Sequence, residues 1–274
     1  MVHRTMELTL SYLALLLYLA ASLGYLGSLR VSHPKLLRAA GILARAGFAV
    51  HTVALAIRLY QEGRPPGNLS EWLSFYAWAT VAVHILTEVR YESKVIGSFV
   101  IPLVVLLLGT SAALPKAIES LSPPLKNIGV WTHVILTLLG NAAFALACCG
   151  ALMYLLQERQ LKSKQPGVLY HRLPSLNLLD NLCHLALSLG FPLLTLGLLS
   201  GALLAYSTFG SFLTWDGKQI WSIVTWIFYA ALLHGRLAGG WRGRKAAILS
   251  IIGFCGVVFA SLGANFLIRG THAF

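Results

Sequence analysis

The sequence has few charged residues, and acidic residues are especially scarce. Aspartate and glutamate together number 9 in 274 residues, and all charged residues make up 11% of the chain, whereas 57% of its residues are hydrophobic. A single soluble core cannot cover that much apolar surface. The composition therefore excludes an ordinary soluble domain and indicates an integral membrane protein.

Paired cysteines and a signal-peptide pattern are also lacking. The four cysteines form no Cys-x-x-Cys motif, so we expect them to pack as small apolar residues and not to form a thiol–disulfide relay; they are Cys148, Cys149, Cys183 and Cys255. The first apolar segment lacks a small-residue cleavage site after a short apolar stretch, so it is expected to be a retained span. The connections are too short for a soluble domain, which predicts one integral membrane domain over residues 1–274.

Eight segments are long and apolar enough to cross a bilayer, which takes about 20 residues in a helix. They are Leu8–Leu29, Leu37–Leu59, Glu71–Val89, Val95–Leu114, Gly129–Leu156, Leu182–Tyr206, Gln219–Gly235 and Ala246–Ile268. The sequence thus predicts an all-α, polytopic membrane protein with eight transmembrane helices.

The formal net charge is +12, and the positions of the basic residues predict the topology. Fourteen of the 21 Lys and Arg residues lie in or beside the loops after spans one, three, five and seven. Such a bias marks cytoplasmic loops and does not require a nucleic-acid partner. Both termini and the loop from Tyr206 to Lys218 are then on the outer, extracytoplasmic face. Lys164 and Arg244 face the cytoplasm, while Lys126 and Lys218 face outward.

Two histidines are predicted at the outer interface. His133 begins span five, and His272 follows span eight. The loop between spans six and seven, with its flanks, brings five aromatic residues to the same layer: Tyr206, Phe209, Phe212, Trp215 and Trp221. Two axial imidazoles beside an aromatic surface suit haem, although a single interfacial histidine can also be a simple anchor.

Further histidines lie deeper in the predicted spans. His84 and His234 are at similar depth, His184 opens span six nearby, and His51 lies in span two. An imidazole inside a span is costly unless it is paired or faces a cavity, so these residues are candidates for an inner site. A proton pathway is the alternative, but it normally needs buried carboxylates, and Glu88 is the only one near the end of a span.

Other polar and small residues have plainer expected roles. Arg45 is expected to extend toward the headgroups. In span six, Pro192 predicts a kink, and Gly197 and Gly201 have the spacing of close helix contact. The stretch HRLPSLNLLDNL, residues 171–182, has leucines at helical spacing and is expected to lie along the inner surface.

Three stretches carry a resemblance to a known family. They are PPGNLSEWLSFYAW, WTHVILTLLGNAAFALACCGALMYLLQERQLK, and the region from GFPLLTLGLLSG to NFLIRGTHAF. They resemble the cytochrome c assembly family, which includes CcsA-type haem exporter and ligase subunits, the CcmC haem-handling protein and HemX-type proteins associated with haem biosynthesis.

The resemblance implies roles for individual residues. His133 and His272 match the family's two external haem ligands, and His234 matches the histidine of its inner, transmembrane haem site. The loop Phe209–Lys218 occupies the place of a tryptophan-rich haem-binding motif of the form W-G-x-x-W-x-W-D-P-K-E. Trp215, Asp216 and Lys218 are retained from that motif, whereas Phe209, Leu213, Gly217 and Gln219 depart from it.

The resemblance implies a haem-translocating protein of cytochrome c biogenesis in the bacterial cytoplasmic membrane. Haem b would enter at His234, with His84 or His51, and would be held externally between His133 and His272. A CcsB-type membrane partner and an apocytochrome c are the implied partners. The chain would then be a subunit of a cytochrome c haem lyase and not a complete enzyme.

Two alternatives stay open. One is a HemX-type membrane regulator that acts on an early haem-biosynthesis enzyme. The other is a haem-free transporter or proton-coupled membrane subunit.

Overall fold

A computed structural model describes residues 2–31, 33–91, 93–114, 128–163, 167–215 and 217–271, with side chains described between residues 5 and 259 of these ranges. These residues form eight α-helices and two short 3-10 helices. The α-helices are α1 (Val2–Arg30), α2 (Pro34–Glu62), α3 (Leu69–Tyr91), α4 (Gly97–Ala113), α5 (Ile128–Lys162), α6 (Leu176–Phe209), α7 (Gly217–Leu237) and α8 (Gly243–Thr271). The 3-10 helices are Lys94–Ile96 and Val168–His171.

Six segments are long and apolar enough to cross a membrane. They are Thr5–Arg30, Pro34–Glu62, Lys94–Ala113, Ile128–Lys162, Leu176–Phe209 and Gly217–Leu237. The all-α, polytopic membrane architecture is thereby confirmed. The helices α3 and α8 coincide with the third and eighth predicted spans, and the eight-span count stays a prediction.

The chain divides into two compact units, each described here by itself. The first comprises Met1–Ser120 and Leu155–Leu179, and the second comprises Leu121–Tyr154 and Asp180–Phe274. The expectation of one integral membrane domain stays a prediction.

In the first unit, α1 packs against α2 and α4, and α3 packs against α4. Two tyrosines of α1 are fully buried where neighbouring helices carry glycine. A Cβ on Gly47 would lie 2.9 Å from the Tyr18 ring, and one on Gly97 would lie 2.5 Å from the Tyr25 ring. The glycines therefore let the helices approach closely around the tyrosine rings.

Arg45 has a protein partner that its sequence position did not reveal. Its Nη2 donates to Glu88 Oε1 at 2.8 Å, and the Glu88 side chain is only 6% exposed. A buried carboxylate needs a nearby cation. Arg45 therefore forms an ion pair with Glu88 between α2 and α3, instead of simply extending toward the headgroups.

The connection between α2 and α3 is held by Glu71. Its carboxylate accepts hydrogen bonds from Arg64 Nη1 and Nη2 at 2.9 and 3.0 Å, from Arg58 Nη2, and from the Gly67 amide at 2.8 Å. The hydrogen bond to Glu71 raises the pKa of Arg64 above its ordinary value. Asn68 Oδ1 accepts from the Glu71 amide at 2.9 Å and so caps the start of α3.

Helix α6 starts earlier than the sequence indicated. It begins at Leu176, six residues before the predicted start of span six, and remains helical through Pro192. Leu179 and Leu182 are buried. Most of the 171–182 stretch is thus the first part of α6, and the expectation that it lies along the inner surface stays a prediction.

In the second unit, aromatic stacking and one carboxylate join the helices. Phe144 of α5 stacks on Tyr229 of α7, with ring centroids 3.7 Å apart and an interplanar angle of 5°. The Asp180 carboxylate of α6 accepts from Arg236 Nη2 and from the Gly243 amide, each at 3.1 Å. Because Gly243 begins α8, Asp180 links α6 to the end of α7 and to the amino end of α8.

Candidate functional site

His133 lies in the first turns of α5 and packs on two glycines of α6. A Cβ on Gly201 would lie 2.8 Å from His133 Cε1 and 2.9 Å from Nδ1. Four residues earlier on α6, a Cβ on Gly197 would lie 2.9 Å from Thr137 Oγ1. The predicted close helix contact is thus confirmed, and it occurs at the candidate haem ligand.

The His133 ring is oriented by a hydrogen bond to the α6 backbone. Its Nδ1 lies 2.8 Å from the Gly197 carbonyl oxygen. A carbonyl oxygen only accepts, so Nδ1 must carry the proton and donate. The neutral imidazole then has its lone pair on Nε2, which is the nitrogen that can bind a metal.

The loop after α6 presents aromatic side chains at the surface. Phe209 is 71% exposed, and Trp215 is 67% exposed. Phe212 stacks on Tyr206, with ring centroids 4.4 Å apart. The described part of this loop therefore offers a set of accessible aromatic surfaces, and its place beside both histidines stays a prediction.

Gln219, on the first turn of α7, organises the loop backbone. Its Oε1 accepts from the Thr214 amide at 2.7 Å and from the Trp215 amide at 3.1 Å, while its Nε2 donates to the Phe212 carbonyl at 3.0 Å. Trp215 has a φ of +54°, a left-handed conformation that is unusual for a residue with a side chain. The Gln219 amide thus stabilises the turn that exposes Trp215.

Three further residues complete the outer candidate set. Trp221 of α7 is half-buried and contacts Phe259 of α8 edge to face, with centroids 5.0 Å apart. Asp216 and His272 lie outside the described residues. The structure therefore places His133, the aromatic loop and Trp221 in the second unit, and the pairing of His133 with His272 stays a prediction.

The inner candidates of the second unit differ in exposure. His234 is exposed near the end of α7. His184 is half-buried on α6, and its Nδ1 is buried without a hydrogen-bond partner among the residues that the structure describes. Because α6 starts at Leu176, His184 lies two turns inside the helix and does not open it.

The inner candidates of the first unit are both buried. His51 is 0% exposed; its Nε2 lies 3.0 Å from Ser74 Oγ, and its ring meets the edge of Tyr18. His84 is 1% exposed, and its Nε2 lies 3.8 Å from Glu88 Oε2, which is too long for a hydrogen bond. Both imidazoles are enclosed by helix packing in this conformation.

The match to a protein family extends over most of the chain. The family model described as Cytochrome C assembly protein matches residues 66–272. The chain belongs to the cytochrome c assembly protein family. The matched region contains His84, His133, His234 and His272, whereas His51 lies before it.

Relatives at about one-third identity are similar over most of their length. The protein named cytochrome c biogenesis protein CcsA from Pyropia yezoensis is 32% identical, over 81% of this chain and 82% of its own. Its namesake from Prochlorococcus marinus is 34% identical, over 81% and 80%. That from Synechococcus elongatus is 30% identical, over 85% and 87%.

Sequence reasoning named Gly197, Gly201 and Gln219 but did not find their contacts with the site. The two glycines of α6 contact His133, and Gln219 holds the aromatic loop. The sequence did contain a signal for the contact between α5 and α6, because His133 and Thr137 are four residues apart, as are Gly197 and Gly201. Gln219 was treated only as a departure from the family motif. Its hydrogen bonds to three backbone groups of the loop leave no periodic pattern in the sequence that could predict them.

Proposed function

We propose that this member of the cytochrome c assembly family binds haem and moves it across the membrane during cytochrome c biogenesis. Haem b is the cargo, held at the outer face between His133 and His272 beside the aromatic loop. The observation that carries the proposal is the hydrogen bond from His133 Nδ1 to Gly197, because it leaves Nε2 with the lone pair that binds iron.

The described residues fit this cargo. Haem needs axial nitrogen ligands and apolar contact for its faces and edges. His133 supplies a nitrogen of the right tautomer, and Phe209, Phe212 and Trp215 supply exposed rings. Trp221 extends the aromatic surface onto α7, and Asp216 and His272 are assigned to the same site by their match to the family motif.

Haem is proposed to enter at the inner leaflet through His234. Its exposure supports this role, because a ligand can reach it without repacking of the helices. His51, His84 and His184 are the candidates for a second inner ligand. Of these, His184 lies in the same unit as His234 and is partly exposed, whereas the burial of His51 and His84 supports a packing role.

The proposal includes a topology and partners. The proposed eight spans put both termini on the outer face of a bacterial cytoplasmic membrane, so that His133, near the start of α5, and His272, which follows α8 in the sequence, both reach that face. Thioether formation requires the cysteine thiols of an apocytochrome c, and a CcsB-type membrane partner is proposed to supply an external domain. The chain then acts as a subunit of a cytochrome c haem lyase.

The alternatives have less support. A HemX-type regulator of an early haem-biosynthesis enzyme would also bind haem, but the similar proteins described above are named for cytochrome c biogenesis. A haem-free transporter or proton-coupled subunit would not explain the ligand-competent tautomer of His133 beside exposed aromatic rings.

Complementation separates these functions. In cells whose own copy of the gene is deleted, the wild-type protein should restore covalently bound cytochrome c haem, while His133→Ala and His234→Ala should restore less than about one-tenth of it. Total haem should stay unchanged, because synthesis is not affected. Altered total haem with normal cytochrome c would instead support the regulator, and no change in either would contradict both haem functions.

A further inference from the structure

Where α5 contacts α6, the His133 ring lies against a glycine of α6, Gly201. We propose that Gly201 is a positioning residue. Because it has no side chain, the His133 ring can pack against α6 and donate to the Gly197 carbonyl. The inference rests on the proposed function, since it concerns how a haem ligand is oriented.

The His133 imidazole occupies the space that a side chain at position 201 would need. The two ring atoms nearest to a Cβ at Gly201, Cε1 and Nδ1, would be 2.8 and 2.9 Å away, whereas Nε2 would be 3.7 Å away. Real Cβ contacts are longer than the first two distances, so any side chain at this position must displace the ring. The edge of the ring that carries Nε2 faces away from the glycine.

Displacing the ring would break the hydrogen bond that fixes its tautomer. Nδ1 donates to the Gly197 carbonyl at 2.8 Å, and the same carbonyl also accepts from Ser200 Oγ at 2.8 Å. A ring displaced from Gly201 moves Nδ1 away from this acceptor, which keeps its hydrogen bond from Ser200. The proton is then no longer held on Nδ1. The lone pair is no longer fixed on Nε2, and the ring no longer has one fixed orientation.

General helix packing is the simpler explanation, and α6 itself provides the comparison. Gly190 lies 11 residues earlier, about three turns, on the same face of α6, and its added Cβ would meet the Phe144 ring of α5 at 2.8 Å. Neither the imidazole nor Gly197 is among the atoms nearest to that Cβ. Gly190→Ala and Gly201→Ala therefore disturb the packing of the same two helices, and only the second touches the ligand.

The test compares wild type, Gly201→Ala, Gly190→Ala and His133→Ala as purified full-length proteins. Absorption spectra with haem, with and without added imidazole, report low-spin ligation. Nitrogen-15 spectra of histidine-labelled haem-free protein, assigned by the signal missing from His133→Ala, report which ring nitrogen carries the proton. The second measurement needs no bound haem and no activity.

We expect Gly201→Ala to behave as His133→Ala does, with low-spin haem reduced at least fivefold and restored by imidazole, while Gly190→Ala stays within twofold of wild type. In haem-free wild type and Gly190→Ala the proton should be on Nδ1, and in Gly201→Ala that signal should be lost. Protonation on Nε2 in the wild type would overturn the inference without any variant, even if Gly201→Ala failed to fold.

The outcomes also separate this inference from the function on which it rests. Altered haem in His133→Ala, but equal spectra for Gly201→Ala and Gly190→Ala, would overturn the positioning role alone. An unchanged spectrum in His133→Ala would remove the external ligand, and with it any haem-positioning role for Gly201.

Discussion

Glu71 shows at the scale of single residues how a polar side chain is accommodated in so apolar a chain. Its carboxylate lies between the guanidinium groups of Arg58 and Arg64, which are 3% and 8% exposed. Both guanidinium groups also contact the Glu62 carboxylate, whose side chain is 34% exposed. Removing the more buried Glu71 carboxylate leaves two buried cations with this one partly exposed carboxylate, which costs about 3 kcal/mol, at the low end for a broken buried ion pair. Glu71 therefore stabilises the connection that enters α3.

We expect Glu71→Gln to lower the free energy of unfolding in detergent by about 3 kcal/mol. Glu158→Gln is the matched control, because Glu158 pairs with Lys162, whose side chain is 65% exposed, and such pairs contribute less than about 1 kcal/mol. Denaturant titration of both variants checks the difference. Equal losses of stability would contradict the account of the α2–α3 connection.

At the scale of residues, the sequence was enough to identify important polar residues but not the groups with which they form hydrogen bonds or ion pairs. His133 was found because it begins a span at the predicted outer interface, in the same layer as His272 and the aromatic loop. Its acceptor was not found, because Gly197 contributes a backbone carbonyl that is 64 residues away in sequence. Arg45 and Glu88 were likewise both noticed, but their pairing depends on how α2 and α3 pack.

At the scale of elements, apolar length predicted the helices but not all of their ends. All eight predicted segments coincide with helices, but α6 begins at Leu176, and Leu179 and Leu182 are buried. The aromatic loop was predicted to lie at the outer interface. Its conformation was not predictable, since it depends on three hydrogen bonds from the single side chain of Gln219.

Gln219 gives a prediction for this loop. Gln219→Ala removes the acceptor of the Thr214 and Trp215 amides, so their hydrogen exchange should become about tenfold faster, in line with a net loss of about 1.4 kcal/mol. Gln219→Glu keeps the acceptor and should protect both amides. Exchange followed by mass spectrometry on a peptide that contains residues 210–215 checks this, and equal exchange in wild type and Gln219→Ala would show that other contacts hold the loop.

At the scale of the whole molecule, the central prediction of the sequence is topology, which rests on the basic residues. We expect cysteines introduced at Lys126 and Lys218 to react with an impermeant reagent in intact cells or spheroplasts, while those at Lys164 and Arg244 react only after lysis. Lys126 and Lys164 lie outside the described residues, so the experiment also tests the topology of segments that the structure does not describe. Labelling at 164 with protection at 218 would invert the topology and contradict an external haem site.

The claim that joins these scales is that His133 and His272 bind one haem at the outer face. The absorption spectrum of the purified protein with haem tests it most directly, because two axial imidazoles give low-spin iron. We predict a low-spin spectrum for the wild type, its loss in His133→Ala and in His272→Ala, and its return when imidazole is added to either variant. An unchanged low-spin spectrum in both variants would contradict the account.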